Sequence, residues 1–181
     1  MKFVPLFAFA FSTLFGQQNP LTDAVKARYE SVKQNLIETA EVMPEESYGF
    51  KLTPQQRPFG AWIEHTIDAT FGYCSSMRSL ASLQREAPDA DKKASLVEVL
   101  KIAFKYCDET LDHMTDERAL TITTLGTKQV YPVTYMINMV AGLNEHYGNL
   151  VGYLRAKGIT PPSTARSQKA PAAAAPSAPK K

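Results

Sequence analysis

Three histidines hold most of the chemistry this sequence can offer. His65 and His146 each fall inside an apolar stripe of helical spacing, with small neighbours one turn away: Ala61 and Ala69 around His65, Gly142 before His146. Imidazoles brought together between facing helices can coordinate a divalent ion such as zinc or nickel. They can equally serve as hydrogen-bonded core residues, and periodicity alone favours that plainer role. Asp68 follows His65 by three residues and shares its helix face. Its carboxylate is a ligand, an acceptor that orients His65, or a solvated charge. His113, in Asp112-His113-Met114, reads as a surface residue at a helix C-terminus.

The elements that must position these residues are helices. Asn19 precedes Pro20 as a cap precedes a first-turn proline. Leu21, Val25, Tyr29, Val32, Leu36 and Met43 then recur on one face until Pro44 stops the helix. A linker, Glu45 to Arg57, leads to a second helix from Pro58, with Phe59, Trp62, Ile63, Ala69, Tyr73, Cys74, Met77 and Leu80 apolar. A third helix, Lys92 to Met114, buries Leu96, Leu100, Ala103, Cys107 and Leu111. Thr115 to Val130 is β-prone and short, and reads as an irregular connection. The fourth helix opens at Tyr131-Pro132, carries Val133, Met136, Ile137, Val140, Tyr147, Leu150, Val151 and Leu154, and closes at Lys157-Gly158. Four such helices around one core predict an all-α four-helix bundle over residues 19–162.

The two ends differ from this middle. Residues 1–16 have Lys2 followed by the apolar run Phe3 to Phe15, the pattern of a secretory signal peptide. Cleavage fits after Gly16 or after Ser12. The run is too short to span a bilayer, so export to the periplasm or medium, without a stable membrane span, is expected. Residues 163–181 are Ala/Pro-rich and contain no aromatic, Leu, Ile, Val, Asp or Glu; a disordered tail is expected. The formal charge of +2 belongs to these ends. Without Lys2, Arg166, Lys169, Lys180 and Lys181, 15 basic residues face 18 acidic ones, so the middle stands at −3. That argues against a nucleic-acid partner.

Cys74 and Cys107 lie on the second and third helices. As antiparallel neighbours these helices would place them at similar heights, and an oxidising compartment favours a disulfide. The alternative is two buried thiols. The sequence has no Gly-rich phosphate loop, GxSxG, HExxH or CxxC, and its adjacent carboxylate pairs read as solvated faces.

Two stretches carry a family likeness. FGAWIEHTIDA, residues 59–69, and NEHYGNLVGYLRAKGITPP, residues 144–162, resemble the DinB/YfiT-like superfamily, most closely its exported members. The resemblance spans residues 20–162. It implies a four-helix bundle, often a homodimer, with a divalent metal on three histidines: one from the second helix and two from the fourth at i and i+4. Relatives include bacillithiol-using S-transferases and a mycothiol-dependent maleylpyruvate isomerase; many members have no assigned reaction. DNA repair or DNA binding is not implied. The matching ligands here are His65 and His146, while the third position carries Gly142. Two histidines hold a metal far more weakly than three unless Asp68 substitutes. Two readings follow. One is a metal-dependent cell-envelope protein, of hydrolase or thiol S-transferase type, with an incomplete triad. The other is a metal-free bundle that binds a small molecule or acts structurally.

Overall fold

Pro20 and Pro132 each stand in the first turn of a long helix, where the missing N–H costs nothing. The computed structural model describes residues 18–83 and 92–169. It contains four long helices: α1 (Pro20–Val42), α2 (Phe59–Met77), α3 (Lys93–Asp112) and α5 (Pro132–Ala156). Gly158, at φ +72°, supplies the left-handed turn that ends α5. The leader read at 1–16 lies outside the described residues, as does most of the tail read at 163–181. No helix among the described residues is long and apolar enough to cross a membrane.

Each long helix packs against two others, in the ring α1, α3, α2, α5. Lys93, opening α3, donates to the carbonyls of Glu41 (2.6 Å) and Met43 (2.9 Å) at the end of α1. Those two helices are therefore antiparallel. Phe59 stacks on Tyr153 at 6.2 Å, and Cys74 lies beside Met139, so α2 and α5 are antiparallel too. The α2–α3 pair corrects the sequence expectation: they are neighbours, but parallel. Arg78 Nε, just past α2, donates to Thr110 Oγ1 (2.7 Å) near the end of α3. In parallel helices equal height means equal distance from the start. Cys74 comes 15 residues after Phe59 and Cys107 comes 14 after Lys93. They form a disulfide, with Cα atoms 5.4 Å apart and both residues fully buried.

Two further sequence expectations are corrected. The connection after α3 is not irregular. It holds a short helix, α4 (Asp116–Leu120), and a hairpin of β1 (Thr123–Leu125) and β2 (Lys128–Val130), with Thr124 opposite Gln129. Gly126, at φ +60°, makes its turn. Residues 163–169, expected to be disordered, belong to α6 (Pro162–Lys169). Polar anchors hold it where apolar burial could not. Arg166 binds Glu38 and Asn35 on α1, and the Tyr147 and Ser163 hydroxyls meet at 2.7 Å.

Asn19 also departs from its expected role. Its side chain does not cap α1. Its Oδ1 accepts from the amide of Asp116 (2.9 Å), whose carboxylate accepts from the amides of Leu21 (3.1 Å) and Thr22 (2.8 Å). A residue from α4 thus caps α1 and places a negative charge at its positive end.

The core is broader than the sequence stripes. Ile67, Phe71, Phe104, Met139, Leu143 and Tyr153 join it, while Leu80 and Ile137 face solvent.

Candidate histidine site between the second and fifth helices

His65 sits two turns into α2, and His146 just past the middle of α5, and the antiparallel register sets Thr66 opposite His146. The two imidazoles face each other with centroids 4.8 Å apart. Trp62, one turn before His65, touches both, at 5.9 Å and 5.8 Å. Its indole Nε1 is buried without a hydrogen-bond partner. Arg57, at the end of the linker before α2, lies over that indole at 5.3 Å.

Thr66 Oγ1 donates to the Trp62 carbonyl (2.8 Å) and lies 3.4 Å from His146 Nδ1, so the Nδ1–H tautomer of His146 would donate to it and keep Nε2 as an acceptor. Burial lowers the His146 pKa to about 4, helped by His65 and the Arg57 charge. His65 is also lowered, by burial first and then Arg57, against the opposing charges of Asp68 and Glu145. Both rings are neutral at pH 7.

The sequence-named residues separate here. His65 and His146 come together. Asp68 is exposed, and its charge acts on His65. Among the described residues, no three His, Cys, Asp or Glu side chains converge where an ion could sit. His113 is exposed, away from the pair.

Gly142 lies one turn before His146 on the same face. Tyr73 of α2 reaches across to it. A Cβ built on Gly142 would overlap the Tyr73 hydroxyl oxygen and lie 3.3 Å from its Cζ. Burial, then the Glu145 charge, raises the Tyr73 pKa, so the group there is a neutral phenol and not an anionic ligand. The donor set is therefore two neutral imidazoles and one phenol. It does not match a three-ligand catalytic metal site.

Among solved structures, the chain is similar to a DinB-like protein from Bacillus cereus, with a TM-score of 0.63 and 15% identity over 77% of this chain and 95% of that one. The fold is DinB-like. No family model and no curated protein matches the sequence.

Within this DinB-like bundle, sequence reasoning found both histidines and the anomalous glycine but missed Arg57, Thr66 and the position of Tyr73. Trp62 and Tyr73 entered only as apolar stripe positions. The one local signal for the missed threonine was its place beside His65. Tyr73 could be tied to Gly142 only through the register between two helices distant in sequence.

Proposed function

We propose that this chain is an exported DinB-like bundle whose histidine site works without a resident metal, as a binding site for a small polar molecule. One observation carries the reading: the Tyr73 phenol stands over Gly142, in the space from which a third ligand would reach the site. What remains is a hydrogen-bonding surface. Neutral His146 supplies one ring nitrogen as an acceptor, and the partly exposed His65 and Tyr73 border it. The Arg57 guanidinium supplies a nearby positive charge, and Trp62 a flat apolar wall with an unused N–H. Export is supported by the apolar leader of the sequence and by the buried disulfide, which suits an oxidising compartment. The homodimer implied by the resemblance is part of the same proposal, checked by the molar mass in solution.

A second reading keeps zinc or nickel on His65 and His146 in a hydrolase or thiol S-transferase type of site. The adjacent neutral imidazoles favour it, since no proton competes with a metal there. Elemental analysis of the mature protein, purified without chelators, separates the two. Metal well below one equivalent is expected; one firmly held equivalent per chain would overturn the metal-free reading.

A further inference from the structure

We infer that Tyr73 and Gly142 form a matched steric pair, and that Tyr73 is the residue that sets this site's ligand class by closing it to a third protein ligand. The inference builds on the metal-free reading but is decided by different measurements. Its ground is a contrast between two glycines on one helix. Gly148 of α5 has open space where a Cβ would stand. Gly142 does not: the Tyr73 hydroxyl oxygen would overlap the Cβ, with Cζ close behind at 3.3 Å. Glycine in a helix interior is unfavourable relative to alanine, and at 142, unlike at 148, the space of the missing Cβ is used by a neighbouring side chain.

The geometry also fixes the direction of the effect. Residues 142 and 146 stand one above the other on α5, so a side chain at 142 would point at the same opening as His146. Tyr73 lies two turns beyond His65 on the antiparallel α2, and its hydroxyl end reaches back to Gly142. With Tyr73 in this position, an imidazole at 142 meets the phenol before it can turn toward the pair, so the tyrosine must move aside first. With Tyr73 cut back, that imidazole faces His65 and His146 across an emptied volume.

The test is zinc titration by calorimetry on four mature proteins: unmodified, Tyr73→Ala, Gly142→His, and Tyr73→Ala/Gly142→His. The double variant is expected to bind one zinc at least tenfold more tightly than Gly142→His, which should be no better than Tyr73→Ala. Equal affinity of the single and double histidine variants would overturn the pair. So would a double variant of native helical content that binds no better than Tyr73→Ala. If Gly142→His does not fold, Gly142→Ala decides. Helix propensity alone raises its melting temperature in any background. The steric pair requires a fall with Tyr73 present and a rise in the Tyr73→Ala background; a rise in both refutes it. The metal content of the unmodified protein bears on the proposed function and leaves this comparison intact.

Discussion

Removing the disulfide offers a perturbation whose size follows from the chain itself. Cys74 and Cys107 are 33 residues apart, so the cross-link closes a long loop in the unfolded ensemble. The chain-entropy relation gives a loss of about 12.5 cal/mol/K for a loop of that length, or about 3.7 kcal/mol at 25 °C. Both residues are fully buried between α2 and α3, so the small void left by deleting each Sγ adds to that figure. For a domain of this size about 3.7 kcal/mol corresponds to roughly 7–15 °C in melting temperature. The perturbation is Cys74→Ala/Cys107→Ala, and the assay is guanidinium unfolding followed by circular dichroism, with a thermal melt beside it. Oxidised protein and protein reduced and alkylated under denaturing conditions should differ in mass by two alkyl groups. A loss below about 1 kcal/mol would refute the loop-entropy reasoning. Free thiols in protein isolated from its own compartment would refute the cross-link and weaken the proposal of export.

Acid should weaken the fold through His146. An unfolded imidazole titrates near 6.5, while folded His146 titrates at about 4. Above 6.5 neither state carries the proton and stability is full; between 6.5 and 4 the unfolded chain takes it up first, so stability declines, and below 4 the loss is complete. Allowing for screening by the partly open surroundings, the loss is about 2 kcal/mol, and His146→Gln should flatten the pH profile of denaturant midpoints. Asp116→Asn should lower the melting temperature, because one of the two α1 amides loses its acceptor and the negative charge at the helix's positive end is gone. Burial raises the Asp116 pKa, but hydrogen bonds from Thr22 and Leu21 outweigh it and leave the group low, so its contribution is present above the usual carboxylate range and fades in acid. Truncation after Lys169 should leave the melting temperature unchanged, whereas truncation after Pro161 removes α6 with its Arg166 and Ser163 anchors and should lower it.

What the sequence revealed tracks what is local. Pro20, Pro44, Pro132 and Gly158 placed helix ends to within a residue or two, because backbone restriction acts on the residue that carries it. The stripes found Tyr29, Leu36, Leu100 and Leu154 but passed over Phe104, Met139 and Tyr153, since a helix with two bundle neighbours buries a wider arc than one narrow line. The parallel run of α2 and α3 was hidden. The connection from Met77 to Lys93 is long enough to join the two helices in either sense, and nothing in its composition says which. The same limit applies at the site. His65, His146 and the gap at Gly142 were each visible in one helix, whereas the Tyr73 contact exists only when two helices meet. The α6 helix was missed because its stability comes from Glu38 and Asn35, more than a hundred positions upstream.

The cap on α1 has a consequence for the order of events as the chain is made. The amides of Leu21 and Thr22 find their acceptor in Asp116, 95 and 94 positions later. A nascent chain ending anywhere before that point carries its first helix with an unfinished end. Of the two long helices that pack on α1, α3 ends at Asp112 and α5 begins only at Pro132. The first of the described helices is therefore among the last to have its contacts completed, which ties the closing of the bundle to the arrival of its carboxy-terminal half.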